Sequence, residues 1–106
     1  MVAPGPYRVI VSPRAFDDLD RILDYIRKDS PANAVGVIDR LWESMQRLTD
    51  LPHRYRVVAG MSRPGRSVRR MPVPPFLVYY RVDDGSHVVR ILTVTHGRQR
   101  QPRRFP

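Results

Sequence analysis

The sequence contains no cysteine among its 106 residues, which excludes disulfide frameworks, thiolate metal sites and cysteine nucleophiles. It also lacks any run of about 18 apolar residues that would span a membrane, and any basic segment followed by an apolar stretch at its start. We therefore expect a cytoplasmic protein without membrane contact. One chain of this length has room for one core, which predicts a single domain over 1–106 with a flexible start at 1–6 and a basic tail at 99–106.

Familiar catalytic signatures are absent as well. The chain shows no metal-ligand spacing, no glycine-rich phosphate loop, no Ser-His-Asp order and no paired carboxylates, so we predict neither a metal nor a cofactor. Ordinary acid–base chemistry would fall to the three histidines, because histidine titrates near neutrality. His53 and His87 are expected to be surface residues, whereas His96 closes the last predicted strand beside Gly97 and Arg98, where side chains converge at a sheet edge.

Lysine is nearly missing too, but positive charge is not. Lys28 is the one lysine, so eighteen of the nineteen cationic side chains are arginine, whose planar fork suits phosphate and carboxylate. The charge is uneven: residues 1–53 hold seven basic and eight acidic side chains, while residues 54–106 hold twelve and two. A GC-rich genome can explain the choice of arginine over lysine, but not this asymmetry. The basic half predicts an anionic partner: nucleic acid, a ribonucleoprotein or an acidic protein segment.

Two Ser-Pro pairs, at 12–13 and 30–31, divide the first half of the chain. Serine caps a helix and proline fits its first turn, so each pair predicts a helix start. A β-rich run over 7–11 precedes the first pair, and apolar residues recur at helical spacing over 13–29 and again over 31–50. The short link between these two helices predicts an antiparallel hairpin whose apolar stripes face a common layer.

The second half predicts the sheet that this hairpin must cover. Residues 52–67 read as an arginine-rich connection, within which RYRVVA has the pattern of a brief edge strand. Three strands follow, with a hairpin turn at Asp84-Gly85 and a central strand over Val88 to Val94, which is apolar on both faces except for Arg90. The predicted fold is α+β with the order β-α-α-β-β-β: a helical hairpin on one face of a small, mainly antiparallel, curved sheet.

Outward side chains of the late strands are expected to collect on the uncovered face, which should therefore be basic. Alternation makes Arg70 and Arg81 candidates, and one of the neighbours Tyr79 and Tyr80 must point outwards, where it could stack on a base or an arginine. The competing interpretation is that such residues are simply solvated. The candidate binding residues are Arg69, Arg70, Tyr80, Arg81, His96, Arg98 and Arg100.

The chain resembles toxins of the RelE/ParE superfamily, the toxic halves of bacterial type II toxin–antitoxin modules. The resemblance runs from Tyr7 to Arg98 and is carried, in order, by SPRAFDDLDRILDYI, SPANA, LTDLPHRYR and VRRMPVPPFLVYYRVDDGSHVVRILTVTHGR. It implies a cytoplasmic toxin neutralised by a small cognate antitoxin, ParD-like or another acidic protein, whose flexible segment wraps the toxin. It also implies that operator DNA is contacted only through the antitoxin.

The superfamily divides by target. RelE-like members cleave messenger RNA in the ribosomal A site, and ParE-like members inhibit DNA gyrase. The arginine that RelE-like enzymes carry three residues before the central tyrosine, Tyr80, is Leu77 in this sequence, and the lysine-rich strand of those enzymes is VRRM. We therefore expect a non-enzymatic, ParE-like gyrase inhibitor. The alternatives are a ribosome-dependent endoribonuclease and a fold that has lost toxicity. In an endoribonuclease, phosphate stabilisation and proton transfer would be shared by Arg70, Arg81, His96 and Arg98.

Overall fold

The structure is a computed structural model that describes residues 6–98. The flexible start and the basic tail predicted from the sequence, including Arg100, lie outside the described residues except for Pro6. The elements, in chain order, are β1 (Arg8–Val11), α1 (Pro13–Asp29), α2 (Pro31–Gln46), a 3-10 turn (Arg47–Thr49), β2 (Arg56–Val57), β3 (Arg66–Val73), β4 (Phe76–Asp83) and β5 (Val88–His96).

Both helices begin at the prolines that the sequence indicated. The Ser12 hydroxyl accepts a hydrogen bond from the Ala15 N–H at 3.2 Å, and Pro13 occupies the first turn of α1, where no N–H is needed. The prediction that the second helix continues to residue 50 is wrong, because the chain tightens into the 3-10 turn after Gln46. This turn buries Leu48, and the carbonyl of Thr49 accepts the Tyr7 N–H just before β1. Neither helix among residues 6–98 is long and apolar enough to cross a membrane.

The sheet has five strands in the order β1-β5-β4-β3-β2. β1 runs parallel to β5, and the remaining pairs are antiparallel. The predicted central strand is confirmed, since β5 lies between β1 and β4. The RYRVVA segment supplies the two residues of β2, which pair only with Arg69 and Arg70. β2 thus ends short of Pro72, so on its β2 side this proline has no partner strand to which an N–H would be needed.

The helical hairpin packs on one face of the sheet, as predicted. Leu19 from α1 and Leu41 and Met45 from α2 are buried against side chains of β3, β4 and β5 such as Val78 and Ile91. Burying this apolar surface is the main stabilising contribution of a domain of this size. The predicted α+β class, with two helices on a small and mainly antiparallel sheet, is confirmed.

The sheet face away from the helices, called the outer face below, differs from expectation at its centre. Val68, Tyr79 and Leu92 form a second buried cluster there, and Val58 and Met61 of the connection pack over it. The prediction that this face is basic is therefore wrong at its centre. The apolar side chains of adjacent strands hold the middle, and arginines remain on the rest of the outer face.

Asp18 joins α1 to the end of β5 that extends beyond β1. Its Oδ2 accepts hydrogen bonds from the Thr93 hydroxyl and from the Val94 N–H, the latter at 2.9 Å. Its other oxygen accepts a bond from Arg21 at 3.2 Å. Thr93 is 1 % exposed, so its hydroxyl would lose its partner far from water if the carboxylate were removed.

We expect Asp18→Ala to lower the free energy of unfolding by about 1–3 kcal/mol, because it leaves a buried hydroxyl and a strand N–H without an acceptor. Asp17→Ala removes the same charge from the adjacent, exposed position and should change the stability by no more than about 0.5 kcal/mol. Urea unfolding followed by circular dichroism measures both. Equal losses in the two variants would show that Asp18 contributes only its charge.

Candidate functional site

Four arginines meet on the outer face at the end of the sheet where the β4–β5 turn lies. Arg8, Arg66, Arg81 and Arg90 line one shallow concavity together with Asp83, and we call these four the arginine patch. Strand register explains the grouping: Arg81 lies opposite Arg90, and Arg66 opposite Asp83. The four residues come from four different strands, β1, β3, β4 and β5, so the patch exists only in the folded chain.

The patch concentrates positive charge. Partial burial, and then the neighbouring guanidinium groups of Arg66, Arg90 and Arg63, lower the pKa of Arg81. Arg63 is brought alongside by a tight turn in which it exchanges backbone hydrogen bonds with Arg66 at 2.9 Å; Gly65 in this turn has a φ of +75°, which favours glycine.

Asp83 is the carboxylate among the described lining residues of the patch. Its Oδ2 lies 3.6 Å from Nε of Arg66. Its Oδ1 accepts N–H bonds from Gly85 and Ser86 in the turn that follows. One carboxylate, already bonded to the backbone, leaves the patch strongly positive, and a concavity of this kind suits an anion.

Of the sequence candidates, Arg81 belongs to the patch and Arg70 does not. Arg70 also lies on the outer face, where it is half-buried and pairs in register with Tyr79 of β4 and Arg56 of β2. It therefore sits across the buried cluster of the outer face from the patch. Alternation along the strands placed both arginines on the correct face but did not reveal this separation.

Arg69 and Tyr80 are on the helix side of the sheet and serve the fold. Arg69 donates hydrogen bonds to the carbonyls of His53 and Tyr55, at 3.1 and 2.7 Å, and thereby holds the connection to β3. Tyr80 is fully buried, and its hydroxyl donates to the Pro52 carbonyl at 2.7 Å. Burial raises the pKa of Tyr80. Tyr80, a candidate binding residue, therefore lies in the core, and the guanidinium of Arg69 is already bonded to its own chain.

His96 and Arg98 lie at the opposite end of β5 from the patch. The His96 ring meets Phe76 edge-on, with 5.6 Å between ring centroids. Its Nδ1 accepts the Arg98 N–H at 3.0 Å, which fixes the ring against the backbone as the strand ends. Arg98 is exposed.

The four residues that an endoribonuclease would need are thus not brought together. Arg81 pairs with Arg90, while His96 is six positions further along β5, a separation of about 20 Å in an extended strand. His96 also contacts Phe76 on the helix side, whereas Arg81 faces outwards. Leu77, at the position of the RelE-type arginine, packs against the buried cluster of the outer face.

A second polar cluster, which the sequence did not indicate, joins the start of the chain to the β4–β5 turn. Oδ1 of Asp84 accepts a hydrogen bond from the Tyr7 hydroxyl at 2.9 Å and lies 2.7 Å from Nε2 of His53. The ring of Tyr7 stacks on His87 with 4.6 Å between centroids. His87 has a φ of +54°, so the turn presents its ring to Tyr7 at some backbone strain.

The charges of this cluster are balanced around Asp84. Partial burial alone would raise the pKa of the Asp84 carboxyl, but the hydrogen bonds from Tyr7 and His53, and the charges of His53 and Arg69, bring it below its ordinary value. Burial and the bond to Asp84 raise the pKa of Tyr7. No group of three or more His, Cys, Asp or Glu side chains within residues 6–98 could hold a metal ion.

Because the pKa of Asp84 is lowered by folding, its charge stabilises the protein at neutral pH, and this contribution is lost as the pH falls through the folded-state value. We expect Asp84→Asn to be less stable than the parent at pH 7, by no more than about 1 kcal/mol because the pair with His53 is half exposed. The difference should shrink as the pH is lowered towards about 3. Urea midpoints at several pH values measure it, and a constant difference would exclude the carboxylate charge as its source.

Comparison with known proteins identifies the family. Residues 9–101 match the family model described as the ParE toxin of the type II toxin–antitoxin system parDE. A curated relative, the putative toxin Y4kP of Sinorhizobium fredii (strain NBRC 101917 / NGR234), is 36 % identical over 93 residues, which cover 84 % of this chain and 86 % of that protein.

Solved structures agree with the fold. A chain of the chromosomal ParDE toxin–antitoxin system from P. aeruginosa superposes with a TM-score of 0.67 at 23 % identity, covering 85 % of this chain and 95 % of that one. The archaeal RelE-RelB complex from Pyrococcus horikoshii OT3 contributes a match with a TM-score of 0.65 at 18 % identity, over 89 % and 99 % of the two chains. The family match extends over most of the sequence and overlaps every strand and helix described above. This chain therefore belongs to the ParE toxin family of type II toxin–antitoxin systems, within the RelE/ParE superfamily.

Proposed function

We propose that this type II toxin acts in the cytoplasm by binding and inhibiting DNA gyrase, rather than by cutting RNA. The observation that carries the proposal is the separation of Arg81 from His96 and Arg98 along β5 and across the two faces of the sheet. Cleavage of a phosphodiester needs a base, an acid and a cation within hydrogen-bond reach of one reacting phosphate. An inhibitor that works by binding needs only a rigid, complementary surface.

Two further features support a binding mode. Leu77 occupies the position of the RelE-type arginine and is committed to apolar packing with Val68, Tyr79 and Leu92. The family model matched over residues 9–101 is that of ParE, not RelE. The residues that remain exposed and cationic on the described surface, such as Arg90 and Arg98, are arginines, which supply positive charge but do not act as bases.

A cognate antitoxin is the second partner in this proposal. The similar solved chains come from a ParDE system and a RelE-RelB complex, and toxins of such modules are held by a protein encoded beside them. A small acidic, ParD-like antitoxin would complement the twelve basic and two acidic side chains of residues 54–106. The expectation from the family resemblance is that this antitoxin carries the contacts to operator DNA.

Purified toxin at micromolar concentration should abolish the supercoiling of relaxed plasmid by gyrase, and an equimolar amount of the antitoxin from the neighbouring reading frame should restore it. The same toxin preparation, added to a translation extract, should leave the messenger RNA intact. Messenger cut in the ribosomal A site together with undisturbed supercoiling would replace this proposal with the RelE-like activity. Intact messenger and undisturbed supercoiling would point to a fold without toxicity.

Charge reversal at the exposed end of β5 and on the outer face should weaken inhibition, because the partner is expected to be anionic there. We expect Arg98→Glu, and Arg70→Glu on β3, each to raise the toxin concentration for half-inhibition of supercoiling by about fivefold or more. Thermal unfolding of each variant identifies any loss caused by misfolding, and Arg70→Gln offers a milder change at the half-buried position.

The matched control is Arg27→Glu at the exposed end of α1, which makes the same change in net charge. Arg21 and Arg40 are less suitable controls, because Arg21 pairs with Asp18 and Arg40 donates to the Pro74 carbonyl at 2.9 Å. Equal effects of reversal at Arg27 and Arg98 would mean that net charge matters and that the predicted surface does not.

A further inference from the structure

We propose that the arginine patch binds the sugar–phosphate backbone of duplex DNA without sequence preference, so that the toxin contacts DNA directly. This goes beyond gyrase inhibition and does not depend on it. It also adds a contact that the family resemblance did not imply, since operator DNA was expected to be reached only through the antitoxin.

The spacing follows from strand register. Arg90 and Arg81 are opposite each other on β5 and β4, and Arg8 and Arg66 lie one outward-facing row further towards the turn, on β1 and β3. With about 4.8 Å between strands and about 3.3 Å per residue, the patch extends about 14 Å across the sheet and about 7 Å along it. Duplex DNA carries one phosphate per about 3.4 Å of axis on each strand, so the long dimension of the patch matches about four phosphates of one strand.

The net charge of the patch is positive, because four guanidinium groups stand against one carboxylate among its described lining residues. Among the described lining residues Asp83 is the carboxylate, and two backbone N–H groups as well as Arg66 already bond to it. Arg63 adds a fifth guanidinium beside Arg66. Like charges held this close repel one another, so an anion that bridges several of them is bound more strongly than by any one arginine.

The residues that line the patch favour double-stranded over single-stranded nucleic acid. Proteins that bind single strands stack bases on exposed aromatic rings, and no aromatic residue is among the lining residues of the patch that the structure describes. Tyr79, the tyrosine of the outer face, is 2 % exposed and is packed under Val58 and Met61. A duplex needs no such platform, because its bases are already stacked on one another and its phosphates line the outside.

The composition also favours DNA over an acidic peptide. A protein partner held at this concavity alone would be expected to bring large side chains such as Trp or Tyr that fill a well-packed pocket. The apolar members of the lining, Ile10 and Val88, are half-buried and offer no such pocket. Backbone contacts to DNA are polar, rich in arginine and compatible with an open surface.

The test is fluorescence anisotropy of a short labelled duplex of arbitrary sequence, titrated with the full-length toxin at several salt concentrations. We expect a dissociation constant of about 10⁻⁴ to 10⁻⁶ M near physiological salt, with little dependence on sequence. Four phosphate contacts predict a slope of log K against log salt of about −3.6. Arg81→Gln combined with Arg90→Gln should weaken binding by about tenfold or more and reduce the magnitude of the slope by about 2.

The matched control is Arg27→Gln combined with Lys28→Gln, which removes two charges from the exposed end of α1 and should leave both affinity and slope close to those of the parent. Circular dichroism establishes that both double variants are folded. Equal weakening in the two double variants, or none in either, would overturn the assignment. So would preferential binding of a single-stranded RNA of the same length, or of a polyglutamate peptide that outcompetes the duplex. Because no gyrase is present, failure here leaves the gyrase proposal standing, and failure of gyrase inhibition leaves DNA binding to be measured on its own.

Discussion

The alternation of side chains across the sheet is the constraint on which the rest of this structure depends. Successive residues of a strand point to opposite faces, and a shift of one residue would exchange the two faces completely. On β4 this rule sends Tyr80 into the helix-facing core and Tyr79 to the outer face, and on β3 it separates Arg69 from Arg70. Adjacent, chemically identical residues therefore have different roles.

An irregularity in β5 preserves this arrangement. Between Tyr79 and Tyr80 the register shifts, so that Thr93 and Ile91 face these two tyrosines and Leu92 is the additional residue. Leu92 then joins the outer cluster while Ile91 stays in the main core. Asp18 of α1 accepts the hydrogen bond from Thr93 at this bulge, beyond the end of β1. The irregular pairing therefore coincides with a hydrogen bond between a helix and the sheet.

The sequence carried the local part of this information and not the rest. The two Ser-Pro pairs indicated where α1 starts and ends, although Ser12 caps its helix with the side chain and Ser30 does not. The apolar run after His87 identified β5 as central, and both signals are properties of neighbouring residues. Arg8 and Arg66 belong to the patch only because of which strands are adjacent in the sheet. The hydrogen bonds from Arg69 to loop carbonyls depend on the same tertiary arrangement. No periodicity within one segment contains that information, and one strand face cannot be told from the other until the helices have covered one of them.

The arginines of the basic half also differ in what they bond to. Arg69 and Arg40 bond backbone carbonyls of their own chain, so part of the cationic half stabilises connections and is not free for a partner. The arginine patch is the opposite case, since the strands hold Arg81 near Arg90 and Arg66 despite their repulsion. A fold that keeps like charges together must offset that repulsion through strand pairing and apolar burial, and an anionic ligand relieves it. Binding of an anion is therefore the function that we propose for this surface, and Arg81 lies too far along β5 from His96 for the two to act on one phosphodiester.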